Sequence, residues 1–432
     1  LPIFILVVPG DGLLALEARK LGCEVQVHPY PLVWPLWEPG PDLPALEEHW
    51  GRSQELTMLM NLLHMHRPNA VIALTCVNAL PAMAASRLGI PVLWMITEVM
   101  RAGPFAPYAV SVIHRYSTWI GGISEATLSI FLSSGLGAKT LMLEPSWHPE
   151  QFRPQSWSDH RKQLRAAYGI GPKVTLIGYI VSDITPHKGF DHFVEMAVRL
   201  CPSHPQAHFL IIGQPTDRTY YDRTVQIVHE SGYASRFILI PYQQSIESVY
   251  PAMDLLIVPS LIPEGFGLTA MEGMVFGKPV IAYRNGGLEE ILNRTGMSAW
   301  LVPPGDIAQL TSAVSTLIND QHRLLATGKE AQRAVQEAFG IEAYRSRLRT
   351  MLDTMSLAVD EMERHHARQR AAIPDGTLLR GAHTPAVFLI QNGAKRPFAS
   401  EAAFLSAGFT WQQIRTVDEP VLQWFPNGLS IC

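Results

Sequence analysis

Short apolar runs alternate with helix-like stretches in two successive blocks of this 432-residue chain. The first block holds IFILVVP at 3–9, AVIALTCV at 70–77 and PVLWMI at 91–96. The second holds VTLIGYIV at 174–181, HFLIIG at 208–213, DLLIVPS at 254–260 and PVIAY at 279–283. Continuous apolar runs of this length suit strands buried on both faces of a parallel sheet. Strand-helix alternation implies a doubly wound α/β fold. Two such blocks imply two domains facing a cleft, where open α/β sheets bind ligands. The expected divisions are 1–165, 166–348, a helix and linker over 349–375, and a small α+β module over 376–432. Within this plan the polar stretch at 148–162 reads as an interdomain linker. Residues 344–371 read as a helix packing across both domains. Asn392-Gly393 between apolar runs predicts a hairpin with a type I′ turn.

Composition removes several classes. Hydrophobic residues make up 47% and charged residues 17%, which excludes a disordered chain or a coiled coil. Lys+Arg 34 against Asp+Glu 38 gives a net charge of -4, so no nucleic-acid partner is expected. Four widely spaced cysteines form neither a disulfide framework nor a zinc cluster, and a reducing, cytoplasmic setting follows. No run of about 18 apolar residues occurs, so membrane contact is expected to be peripheral at most. The apolar start lacks the basic flank of a secretory signal. A turn, Pro9-Gly10-Asp11-Gly12, follows it directly, so the first block reads as a sheet incomplete at its front.

The chemistry concentrates at 259–292, PSLIPEGFGLTAMEGMVFGKPVIAYRNGGLEEIL. Glu264 precedes a Gly265-Phe266-Gly267 turn that feeds a helix, and Glu272 lies on that helix. Free N–H groups at such a helix start can hold an anion, and glycines let a phosphate approach closely. Glu272 then comes within reach of a sugar hydroxyl on the same ligand. The same pair also fits a solvated face or partners of the helix dipole.

E-G-F-G-L-T-A-M-E resembles the glutamate, seven residues, glutamate motif of retaining GT-B glycosyltransferases of family 4. PHKGFD at 186–191, GKPVIA at 277–282, NGG-LEE at 285–290 and LVPPGD at 301–306 agree. So do ISEAT at 123–127 and EPSWHPEQFRP at 144–154. The resemblance spans roughly 1–348 and implies a GT-B fold: two Rossmann-like domains, the second binding a nucleoside-diphosphate-sugar (UDP- or GDP-sugar) without a further cofactor. Glu264 would lie beside the donor sugar, and the amides of Gly265, Phe266, Gly267 and Leu268 would bind sugar and diphosphate. Glu272 would bond the ribose. Lys188 would neutralise the diphosphate as the leaving charge develops, in place of a metal, since the chain has no Asp-x-Asp. As a residue alone, Lys188 also fits an exposed loop lysine. The implied acceptor is a glycan, a lipid or another hydroxyl compound of bacterial glycan synthesis.

Three departures qualify the resemblance. Ser182 and Asp183 stand where relatives carry Gly-Arg, and an aspartate repels a diphosphate. Thr97 stands in place of a histidine ahead of Glu98 on the acceptor side; it can hydrogen-bond but carries no charge. Glu98 also fits a loop or helix-capping role. Relatives start with a further strand and a glycine-rich loop, about 35 to 45 residues by the size of such a unit. These departures leave a second reading, a binding or scaffold protein on a degenerate fold. His64 with His66 and His365 with His366 lack metal-ligand spacing on a helix and are expected at the surface. Tyr30, Trp34 and Trp37 fit acceptor stacking, docking or plain packing alike.

Overall fold

The computed structural model describes residues 4–243, 245–382 and 384–432. Its strands are β1 (Ile5–Val8), β2 (Glu24–Val27), β3 (Val71–Leu74), β4 (Val92–Ile96), β5 (Trp119–Gly122), β6 (Thr140–Met142), β7 (Thr175–Ile184), β8 (Ala207–Pro215), β9 (Phe237–Ile240), β10 (Leu255–Val258), β11 (Val280–Tyr283) and β12 (Leu301–Val302). Four more, β13 (Leu378–Gly381), β14 (Val387–Gln391), β15 (Ala394–Pro397) and β16 (Ile414–Val417), form the C-terminal module.

The second block closes one parallel sheet of order β12-β11-β10-β7-β8-β9. This is a doubly wound order that reverses between β7 and β10, and ligands bind beyond the strand C-termini at such a point. All residues of β10 and β11 are buried, which explains their uninterrupted apolar sequence. The first block is divided. β3-β4-β5-β6 form one parallel sheet, and β1-β2 form a separate parallel ladder. Its core gathers the fully buried Trp94, Met83 and Ile113 beneath the sheet helices.

The polar stretch at 148–162, expected as a linker, is instead folded against the second block. Its apolar members decide this. Phe152 meets Phe276 edge-on at 5.2 Å, and the Trp157 ring lies 4.7 Å from the same ring. Glu247, nearly fully buried, accepts from the Arg153 backbone N–H at 2.7 Å and from Ser156 Oγ at 2.7 Å. Helix Trp157–Ala167 follows, and its Arg161 and Arg165 both pair with Asp254.

The 31-residue helix Ile341–Ala371 spans the two blocks. Arg347 Nε pairs with Glu144 at 3.2 Å, and Arg294 reaches the same carboxylate. One turn further, Met351 and Met355 pack on Leu93, Met95 and Trp119 of the first block. Beyond it, β15-β14-β13-β16 form a mixed sheet. Asn392 and Gly393 take φ of 53° and 68°, the conformation a type I′ turn requires. The Asp375 carboxylate accepts the Asn392 N–H at 2.6 Å. No helix among the described residues is long and apolar enough to cross a membrane.

Candidate active site

The two strands at the reversal point carry the predicted charges. Lys188 follows β7 and Glu264 follows β10. Lys188 Nζ donates to Glu264 Oε1 at 2.6 Å, with the two side chains 33% and 20% exposed. Their loops are locked together. The Leu261 N–H donates to the His187 carbonyl at 2.8 Å. Gly189 has φ 66°, and a Cβ there would lie 2.1 Å from the Pro259 carbonyl oxygen. Glycine is therefore required where the loop turns back towards β10. Ser260 Oγ donates to the same oxygen of Glu264, and Asn285 Nδ2 holds the Ser260 carbonyl at 3.1 Å. The Glu264 backbone accepts the Gly287 N–H at 2.8 Å. A cavity of about 20 Å³, enough for one water, lies beside Lys188 and Glu264.

The glycine turn behaves as the sequence implies. Gly267 sits at φ 100° immediately before helix Leu268–Val275. Phe266 contributes only its backbone, because its ring is buried edge-on against Phe339 at 5.3 Å. The Leu268 side chain is exposed. Glu272 is half-buried and accepts from the Tyr250 hydroxyl at 2.9 Å. Burial pushes its carboxyl up to about 7, against the lowering effect of the Tyr250 bond.

The predicted acceptor-side residues divide. Thr97 presents its carbonyl to Gly265, and a Cβ on that glycine would come within 2.2 Å of it. Glu98 does not face the glycine turn by any such contact; its Oε2 accepts the Cys76 N–H at 3.0 Å. That is the loop-fastening role the residue type also allowed. Burial, and then Glu98, push the Cys76 thiol up. Asp183 is exposed, beyond a register shift between Ile180 and Asp183 in the β7–β8 ladder.

Two further contacts join the blocks and were not identified from the sequence. Ser124 Oγ donates to the Gly265 carbonyl at 2.5 Å. Glu290 accepts the Glu125 and Ala126 N–H groups at 2.7 Å each, so a carboxylate from the second block occupies the positive end of helix Glu125–Ser133 in the first. ISEAT and NGG-LEE were noticed as motifs, but nothing local in either indicates that they meet. Tyr250 and Ser260 were also missed, for want of any spacing signal. No group of three or more His, Cys, Asp or Glu residues able to hold a metal ion is found among the described residues.

Residues 158–338 match the family described as Glycosyl transferases group 1. The matched segment coincides with the second α/β block and the helix that leads into it. Among curated relatives, a 2-deoxystreptamine glucosyltransferase of Streptomyces kanamyceticus is 28% identical over 236 residues, which are 52% of this chain and 58% of that one. A D-inositol 3-phosphate glycosyltransferase of Rhodococcus opacus is 32% identical over 179 residues, covering 40% of each. The chain thus spans about half the length of these relatives. The fold extends further than the sequence likeness. Alr3699/HepE of Anabaena, solved in complex with UDP, superposes with a TM-score of 0.67 at 19% identity over 81% of this chain and 92% of that one. Sucrose-phosphate synthase of Thermosynechococcus elongatus gives 0.60 at 20% identity over 78% and 84%. The architecture is GT-B, with Rossmann-like α/β units.

Proposed function

We propose that the chain is a retaining glycosyltransferase that moves a sugar from a nucleoside-diphosphate donor to a hydroxyl acceptor. The observation that carries this is the Lys188–Glu264 pair at the reversal point of the second sheet, beside a glycine-lined helix start. The diphosphate would take the Lys188 ammonium and the amides of Gly265–Leu268. Lys188 then leaves its bond to Glu264 and neutralises charge on the departing phosphate, where fixed charge lowers the barrier most. Glu264, held by Ser260, is left to accept from hydroxyls of the transferred sugar. Glu272 would accept from the ribose once its bond to Tyr250 is exchanged. Retention would come from attack on the face that the diphosphate leaves, with a leaving phosphate oxygen taking the acceptor's proton. UDP in the Anabaena neighbour supports a nucleotide in this fold. Acceptors of a glycan or lipid kind, and a setting at the inner face of a membrane, belong to the same proposal.

A binding or scaffold role on the same fold is favoured by one feature. The glycine turn rests directly on Thr97 and Ser124 of the first block, contacts that a fixed binding surface would also use. Turnover separates the two readings. UDP- and GDP-sugars incubated with the protein should release free UDP or GDP, and Lys188→Ala should reduce that release by about a hundredfold or more. No release by the unaltered protein from any donor would favour the scaffold reading.

A further inference from the structure

Helix Gly287–Arg294 of the second block carries two charges that reach the first block. Glu290 and Arg294 are one turn apart and share a face of that helix. The Glu290 carboxylate accepts the N–H groups of Glu125 and Ala126 at 2.7 Å each. Arg294 pairs with Glu144, just beyond β6. Each charge meets its opposite. The carboxylate lies at the positive end of helix Glu125–Ser133, and the guanidinium lies against a carboxylate only 9% exposed.

The cap of helix Glu125–Ser133 is therefore shared between the blocks. Its own Ser124 Oγ accepts the Thr127 N–H at 3.1 Å. The two amides before Thr127 are served by Glu290, from the other block. The first amides of a helix find no partner within it, so this helix start depends on how the second block is placed. The contact is also opposed. Burial pushes the Glu290 carboxyl up, the two amide bonds pull it down, and Glu125 and Glu289 push it up again. A contact that gains two charge-assisted bonds but costs desolvation and like-charge repulsion can be tipped by a small change elsewhere.

The start of the same helix is fixed to the donor-site residues. The Gly287 N–H donates to the Glu264 carbonyl at 2.8 Å. A Cβ on Gly287 would lie 2.4 Å from the Phe266 carbonyl oxygen, so backbone rests on backbone there. Glu290 follows Gly287 within one turn of helix. A shift of the Glu264–Gly267 segment therefore carries the Glu290 carboxylate with it. Ser124, next to Glu125, meets the same segment at the Gly265 carbonyl. Contacts thus run without a break from Lys188 through Glu264, Gly287 and Glu290 to Ala126.

We propose that Glu290 is a positioning residue that couples the two blocks: a ligand at Lys188 and Glu264 tightens its hold on the start of helix Glu125–Ser133. The coupling rests on the donor-site reading above. A diphosphate lodged between Lys188 and the amides of Gly265–Leu268 would order the turn that Gly287 and Ser124 both touch, and with it the carboxylate beyond. Coupling between two sites is reciprocal in free energy. A loosened Glu290 must weaken the ligand by the same factor by which the ligand tightens Glu290.

Hydrogen exchange on the full chain, read by mass spectrometry in peptides covering Glu125 and Ala126, tests the contact. Exchange there should be about tenfold faster in Glu290→Ala than in the unaltered protein. Peptides from β10 should exchange alike in both, which shows that the variant is folded. Saturating UDP or GDP should slow exchange at 125–126 about fivefold or more in the unaltered protein and leave Glu290→Ala unmoved. Calorimetry supplies the reciprocal figure. The same nucleotide should bind Glu290→Ala about fivefold or more weakly. Glu290→Asp, which keeps the carboxylate, should recover part of that loss, and Glu290→Gln, of the same shape without the charge, should fall between the two. Equal exchange at 125–126 in Glu290→Ala, Glu290→Gln and the unaltered protein would overturn the contact's role, whatever the nucleotide does. Full nucleotide affinity in Glu290→Ala would overturn the coupling and leave the donor-site reading standing. Binding of neither nucleotide by the unaltered protein would remove the donor-site reading and the coupling with it.

Discussion

The two α/β blocks share a plan and differ in how far their sheets are joined. In the second, six strands run in one hydrogen-bonded order, and its central strands are buried on both faces. In the first, the β1-β2 ladder and the β3–β6 sheet share no backbone pairing among the described residues. Apolar side chains record the difference. Leu13, Leu14 and Leu16 beside β1, and Ile72 and Leu74 on β3, stay exposed, whereas Leu255 and Leu256 of β10 are fully buried. A strand gains its stability from neighbours on its edges and layers on its faces, so the same apolar composition contributes unequally in the two blocks. The chemistry follows that difference. Lys188 and Glu264 sit on the continuous sheet, and the first block meets the glycine turn and Glu290 through Thr97, Ile123, Ser124 and a helix start.

The largest expected contrast is in stability. Leu256→Ala in β10 should cost about 2–5 kcal/mol, while Leu6→Ala in the partly exposed β1 should cost under about 1 kcal/mol. Urea unfolding midpoints measure both. Equal costs would mean that the β1-β2 ladder is as firmly integrated as the larger sheet.

A smaller effect concerns Glu272. Its carboxyl titrates near 7 in the folded state, against 4.5 ordinarily. Between those values the folded chain holds the extra proton, so stability falls as pH rises from 4.5 to about 7 and is level above. Glu272→Gln removes this cost and should stabilise the ligand-free protein at pH 8 by about 1–3 kcal/mol, with little change at pH 4. Thermal melts across this range check the sign. An unchanged pH slope in the variant would show that Glu272 is not the buried acid.

Much of the second block was legible because its signals are local. The apolar runs are short and bounded, and Gly265 and Gly267 mark a turn that enters a helix. Lys188 before Gly189 was readable for the same reason, since the glycine is what folds that loop onto Pro259. The hairpin at Asn392-Gly393 follows from turn chemistry alone. Contacts set by tertiary packing were not legible. Tyr250 reaches Glu272 across 22 residues, and Glu290 reaches Ala126 across 164. The segment 148–162 was misread because its polar residues outnumber the aromatic ones that anchor it.

The central claim is that the second block holds a working nucleotide-sugar site at Lys188 and Glu264. Titrating UDP and GDP into the protein by calorimetry tests it most directly, beside Lys188→Ala and Asp183→Ala. The account predicts saturable binding of one nucleotide, lost by about tenfold or more in Lys188→Ala and kept or improved in Asp183→Ala. Binding of neither nucleotide, or equal binding by the protein and Lys188→Ala, would contradict it.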